Sequence, residues 1–196
     1  VDFVFAVNVG GVVRVTRAFI PLIVESKGRI VTTGSIAGIR SGPGGSVYSM
    51  TKHAVEAFTD SLAAEMADTG VQVSVIEPGA YKSRIRRNVI GRFMNDVAAS
   101  GEEVPDEMRE QAKQLAEREI AMDEPDDVSA ALVHALSADV ALRRYLVTPN
   151  AEQAESTVRA LVRELVELNE WKQNGFSRDE LVQMLDEALN PQPASD

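Results

Sequence analysis

The chain has 196 residues, with 44% hydrophobic and 26% charged residues, enough for one sizeable core and a small appendage. It contains no cysteine, which excludes disulfides and thiolate metal sites, and its two histidines, His53 and His134, are too few to suggest a zinc site. Net charge is −10 and unevenly spread: residues 1–100 hold 11 Lys+Arg against 8 Asp+Glu (+3), and residues 101–196 hold 9 against 22 (−13), which argues against nucleic acid as partner. The apolar runs look too short and interrupted to span a bilayer, and no secretory pattern is visible, so an intracellular, cytoplasmic protein is expected.

In chain order, Val1 enters directly into the apolar pattern V-D-F-V-F-A-V-N-V, and a natural N-terminus rarely starts in mid-element. The sequence is therefore expected to be part of a longer one. Phe3, Val7, Val12, Val15, Phe19, Leu22 and Ile23 follow a helical period over residues 1–24. Asn8, Gly10 and Gly11 are poor helix formers, so a kink or loosening near Asn8 is expected. Arg29–Thr33 is β-branched and reads as a buried strand, followed by a Gly-rich loop over 34–45. A helix is expected from Ser46 to about Asp68, with Thr69-Gly70 as its stop, then a strand over Val71–Ile76. The segment 80–125 is irregular: a basic cluster (Lys82, Arg84, Arg86, Arg87, Arg92), then an acidic helix around Glu107–Met122. Pro125-Asp126-Asp127 opens a helix to about Ser137, Arg144–Thr148 is a third strand, and helices follow at about Ala151–Glu170 and Arg178–Leu189, separated at Asn174-Gly175. Strands alternating with helices imply right-handed crossovers onto a parallel sheet. Three strands are few for such a sheet, so Arg29–Thr33 is expected to have an unpaired edge and the 196 residues alone to be prone to aggregation.

The chemistry-bearing stretch is Ser35–Lys52, S-I-A-G-I-R-S-G-P-G-G-S-V-Y-S-M-T-K. Ser35 follows the first strand, and Tyr48 and Lys52 stand four apart on the first turns of a helix, hence on one face. A phenol beside an ammonium is a route to a general acid/base near neutral pH, because the cation favours the phenolate. A Tyr-x-x-x-Lys pair alone recurs by chance on helices. Here Asn8 lies 27 residues before Ser35 within N-V-x-G, Ser35 lies 13 before Tyr48, and Pro78-Gly79 ends the next strand.

With these residues together, the chain resembles the C-terminal half to two-thirds of a short-chain dehydrogenase/reductase, from Val1 to about Pro149. Asn8, Ser35, Tyr48 and Lys52 match that family's catalytic set in identity and order. The wording E-P-G-A-Y-K-S-R more narrowly resembles the branch acting on retinoids, hydroxysteroids and 3-hydroxybutyrate-like alcohols. The resemblance implies an α/β fold, part of a Rossmann-type doubly wound parallel sheet over 1–150, with a helical extension over 151–196. It implies an oxidoreductase that uses NAD or NADP to interconvert a small-molecule alcohol and ketone. In that reading Tyr48 exchanges the alcohol proton, Ser35 binds the substrate oxygen, and Lys52 supports Tyr48 and holds the nicotinamide ribose. Asn8 would hold a relay water. Pro78, Gly79 and Ser83 would contact the nicotinamide, Gly79 by letting the ring approach the backbone. The helix carrying Tyr48 and the first helix would form a homo-dimer or homo-tetramer interface.

One departure matters. The Gly-rich phosphate turn that opens this family's sheet has no counterpart here, and Gly42-Pro43-Gly44-Gly45, lying between Ser35 and Tyr48, reads as active-site loop. The choice between NAD and NADP is therefore not encoded in these residues. The alternative reading is a non-catalytic interaction fragment lacking the cofactor half. His53 and His134 read as packing residues, Met50 and Met66 as core or interface, and the cluster Lys82–Arg92 as solvated lid surface rather than an anion contact.

Overall fold

The computed structural model describes residues 1–171, 173 and 175–190. Asn174, half of the expected Asn174-Gly175 break, lies outside them. Contacts group into two compact units, Val1–Thr157 and a second starting at Val158.

In the first unit, helix α1 (Asp2–Glu25) is interrupted by a π-helical turn over Ala6–Gly11. That turn is the loosening expected from Asn8, Gly10 and Gly11, poor helix formers that give up i→i−4 bonding at small cost. Lys27 (φ 48) and Gly28 close the helix, Gly28 N–H donating to Ile23 O at 2.8 Å. Strand β1 (Arg29–Thr33) follows, then a 3-10 turn at Ile36–Gly38 inside the Gly-rich segment. Helix α2 (Ser46–Glu65) ends through a 3-10 turn, and Gly70 takes the left-handed conformation (φ 80) that a side chain would resist. Strand β2 (Gln72–Pro78) runs two residues further than the sequence pattern suggested, because Glu77 and Pro78 continue the ladder to β3 (Arg144–Val147).

Both pairings are parallel, in the order β1-β2-β3, so β1 lies at an edge of the sheet among the described residues. Strand alternation separates two cores. Ile30 and Val73, opposite one another, pack with Leu62, Ala63 and Val71 against Ile20, Ile23, Phe58 and Met66 of α1 and the α2 region. On the other face Ile76 and Tyr145 pack with Ala135, Val31 and Val128, under α5 (Asp126–Ser137). Helices on both faces of a parallel sheet make this a doubly wound α/β arrangement.

Between β2 and α5 lie α3 (Ile85–Ala99) and α4 (Asp106–Ile120). The sequence reading left α3 as a basic cluster. Its signal was Ile85, Val89, Phe93 and Val97 at four-residue spacing, masked because Ile85, Val89 and Phe93 stay exposed and the intervening residues are basic. Helix α6 (Ala151–Leu168) begins in the first unit and runs into the second. In the second unit Asn169 brackets Phe176, its Oδ1 accepting from Phe176 N–H (2.6 Å) and its Nδ2 donating to Phe176 O (2.8 Å). Ser177 and Glu180 form a capping box at the start of α7 (Arg178–Leu189).

The apolar run at the start of the chain is one helix of 24 residues, longer than its interrupted sequence pattern implied. Helix α1, at 24 residues, is long and apolar enough by length and composition to cross a membrane. Asn8 and the two glycines weaken helix propensity but barely dilute hydropathy, and core helices of folds that cross no membrane meet the same length and composition. In this fold α1 turns Ile20, Ile23 and Val24 to the sheet and leaves Phe3, Val15, Phe19 and Leu22 exposed.

Truncating Leu62, which is 3% exposed between α2 and the sheet, is expected to cost about 2–4 kcal/mol in a urea melt of Leu62→Ala. A loss below about 1 kcal/mol would mean that this face is not a packed core.

Candidate active site

The site forms where β1 and β2 end together. At the register Thr33↔Ile76 the chain leaves β1, and Gly34 N–H donates to Ile76 O at 2.7 Å. Ser35 is extended (φ −177, ψ 157) and caps the Ile36–Gly38 turn, its Oγ accepting from Ala37 N–H at 3.1 Å. The same hydroxyl donates to Pro78 O at 3.4 Å. Ser35 and Pro78, 43 residues apart, are thus neighbours because their strands are.

Tyr48 and Lys52 lie on the first two turns of α2. The Lys52 ammonium stands 5.7 Å from the Tyr48 ring centroid and donates to Thr33 O at 2.8 Å, which ties α2 to the end of β1. Burial pushes the Lys52 pKa down from its ordinary value, and the negative charge of Glu56, one turn on, opposes that shift. Asn8 reaches the same group from the π turn: its Nδ2 donates to Thr51 Oγ1 at 3.1 Å, and Thr51 Oγ1 donates to Tyr48 O at 2.7 Å. Thr51 is fully buried and was missed by the sequence reading, since a threonine at an interior helix position carries no signal until its partner is known.

The structure brings Asn8, Tyr48 and Lys52 together, and Ser35 with Pro78. Ser83 sits exposed in the coil before α3. Gly79 is also closely packed by the chain itself. A Cβ there would lie 2.7 Å from Gln153 Oε1 and 3.1 Å from Pro149 Cδ, so the missing side chain makes room for these two residues. The same Gln153 Oε1 accepts from Ala80 N–H at 2.8 Å and fixes the turn after Pro78.

Beneath these residues lies a cluster that the sequence reading did not single out. Glu56 and Glu77 are buried, and Arg144 reaches both: Nη1 bonds Glu56 Oε2 and Glu77 Oε1 (2.8 Å), while Nη2 bonds Asp60 Oδ2 (2.6 Å). Burial first, then the adjacent Glu77, raises the Glu56 pKa to about 7 against the pull of Arg144. The legible signal was two carboxylates in apolar settings, A-V-E-A-F and V-S-V-I-E-P, because a buried carboxylate requires a partner.

The remaining candidates take ordinary places. His53 Nδ1 bonds Ser49 O (2.9 Å), and His134 Nδ1 shares a hydrogen bond with the Tyr145 hydroxyl (2.9 Å). Met66 packs on the first core, whereas Met50 is exposed. Of the basic cluster, Lys82 pairs with Glu124, Arg87 approaches Glu119 at 3.9 Å, and Arg92 stacks 3.6 Å from the Phe3 ring.

A parallel sheet in the order β1-β2-β3 with helices on both faces is a Rossmann-type arrangement, the fold of short-chain dehydrogenases. Residues 1–91 match the family model for short chain dehydrogenase and belong to that family. Among individual relatives, the mitochondrial D-beta-hydroxybutyrate dehydrogenase of Rattus norvegicus is 35% identical over 149 residues, 71% of this chain and 43% of the relative. The 3beta-hydroxysteroid dehydrogenase dhs-16 of Caenorhabditis elegans is 48% identical over 82 residues, 42% of this chain and 21% of the relative. Both lie in the finer branch that the segment after β2 resembles. In fold, a short chain dehydrogenase from Burkholderia cenocepacia, solved in complex with NADP, superimposes with a TM-score of 0.56 at 21% identity, over 83% of this chain and 56% of that one. The chain thus spans less than half the length of these curated relatives.

The Glu56 carboxyl makes stability depend on pH in a defined direction. Its pKa is about 7 in the fold against an ordinary 4.5, so the folded state holds the proton more tightly. That contribution is complete below about pH 4.5 and is lost as pH rises through 7. Urea melts should lose about 1–3 kcal/mol between pH 5 and pH 8, and Glu56→Gln should flatten this slope. Parallel pH profiles for both proteins would assign the slope to another group.

Proposed function

We propose that this chain carries the acid/base part of an NAD(P)-dependent oxidoreductase that interconverts a secondary alcohol and a ketone. The observation that carries the reading is the Lys52 ammonium, 5.7 Å from the Tyr48 ring and pinned to Thr33 O, at the edge where Ser35 also emerges. Family membership of residues 1–91 supports it.

In the oxidation direction Tyr48 accepts the hydroxyl proton while the C–H hydrogen departs with its electron pair. Ser35, whose Oγ already accepts from Ala37 N–H, would turn its single O–H from the long bond to Pro78 O onto the substrate oxygen and steady the charge that develops there. A bound nicotinamide supplies the acceptor or donor of that hydrogen. The donor set fits such a group: the Lys52 ammonium spends one N–H on Thr33 O and has two left for ribose hydroxyls. Pro78, Gly79 and Ser83 follow β2 at the carboxyl edge, where ligands of open α/β sheets bind. Asn8 steadies the Tyr48 turn through Thr51, and its carboxamide oxygen is the group that would hold a relay water. The relatives named for hydroxybutyrate and hydroxysteroid support a hydroxy acid or sterol-like alcohol as substrate. Exposed Phe3, Val15, Phe19 and Met50 on α1 and α2 support assembly into a homo-dimer or homo-tetramer.

In the natural protein carrying this sequence, Tyr48→Phe should lower kcat/KM by about 10²–10⁴-fold with the thermal melt unchanged. Retained turnover would remove Tyr48 from the chemistry. Absence of NADH and NADPH binding, followed by nicotinamide fluorescence, would instead favour a non-catalytic interaction role.

A further inference from the structure

Glu56 has no part in the reaction just described, yet it lies against the two glycines that flank the Ser35 turn and acts electrostatically on Lys52. It lies one helical turn after Lys52, and its carboxyl is buried. Oε2 is held by Arg144, while Oε1 has no hydrogen-bond partner. Where Oε1 lies is informative. A Cβ on Gly34 would fall on it, and a Cβ on Gly38 would sit 2.9 Å from it and 2.9 Å from Lys52 O. The turn that presents Ser35 is thus moulded around this one carboxyl, with a glycine at each end. Glu77, which shares Arg144 with Glu56, is the residue before Pro78, the acceptor for Ser35.

We propose that Glu56 is a positioning residue for the Ser35, Tyr48 and Lys52 set, its buried carboxyl seating the Ser35 turn and setting the charge behind Lys52. This rests on the oxidoreductase reading above. The charged groups facing Glu56 are Lys52 and Asp60 on its own helix, Glu77 on β2 and Arg144 on β3; the Gly34–Gly38 turn on its remaining side contributes none. With both glutamates ionised, one guanidinium faces two buried carboxylates and part of its donor capacity goes to Asp60. A low-dielectric site of that kind retains a proton on one carboxyl, and the rise of the Glu56 pKa to about 7 agrees with the geometry. Below that pH the carboxyl is neutral. Above it, a negative charge stands one turn behind Lys52 and counteracts the field that the ammonium casts on the phenol.

The consequence is a pH effect that a residue serving only to fill space would not produce. Glu56→Gln keeps the shape and can still accept from Arg144, but never gains the charge. In the natural protein carrying this sequence, the part of the acid limb of log kcat/KM for alcohol oxidation that lies above about pH 7, where Glu56 is charged, should move to lower pH by about 0.5 or more in this variant. A limb superimposing on that of the unaltered protein would overturn the proposal. Should Glu56→Gln fail to fold, the unaltered protein labelled with 13C at glutamate carboxyls decides: one resonance titrating near pH 7 supports it, and all resonances titrating in the ordinary carboxylate range overturn it. Tyr48→Phe, run in parallel, separates the two ideas. Loss of activity there with an unmoved limb in Glu56→Gln sinks only the role of Glu56, whereas an active Tyr48→Phe sinks the oxidoreductase reading itself.

Discussion

The parallel pairing of β1 with β2, in the register that sets Thr33 opposite Ile76, is the constraint on which the site depends. It brings the carboxyl ends of both strands to one edge, so that the Ser35 turn and Pro78 meet although 43 residues separate them. It also exposes Thr33 O, the acceptor that holds Lys52, and through Lys52 the first turns of α2. A register slip of one residue would invert the faces of β1 and withdraw Ile30 from the core shared with Leu62 and Val73. The core and the site therefore enforce the same alignment.

Below that edge the structure departs from an ordinary apolar interior. Glu56, Glu77 and Arg144 occupy the junction of α2, β2 and β3, where a purely hydrophobic filling would satisfy packing equally well. Such a cluster costs desolvation, and its partners must arrive from three elements at once. It therefore forms only when β3 has added to β2, which couples assembly of the sheet to the seat of the Ser35 turn. The glycines at 34 and 38 belong to the same arrangement, since each leaves space that the Glu56 carboxyl fills.

Helix α1 shows how one segment can satisfy two physical descriptions. Its composition is that of a bilayer span, yet it presents Ile20, Ile23 and Val24 to the sheet and uses the π turn to aim Asn8 at Thr51. The break that Gly10 and Gly11 permit is what rotates the Asn8 side chain toward α2. Gly79 carries the opposite lesson. A motif glycine can also be required by its own protein, here by Gln153 of α6 and Pro149 just before it.

The sequence by itself determined the local elements and the chemical inventory. β1 was legible from its β-branched run, α2 from its periodicity and Gly70 stop, the loosening at Asn8 from three poor helix formers, and the candidate acid/base set from four residue types in order. These signals are local, or carried by identity and spacing, and survive without knowledge of contacts. Tertiary structure decided the rest. Helix α3 was hidden because basic and polar residues interrupt its apolar spacing. Thr51 and the Glu56, Glu77 and Arg144 cluster were hidden because their meaning lies in partners 43, 21, 67 and 88 residues away. The reason for Gly79 was hidden because it depends on a helix that begins only at Ala151. A side chain's identity fixes what it can donate, accept or ionise; only the packing of distant elements fixes which of those capacities is left unspent.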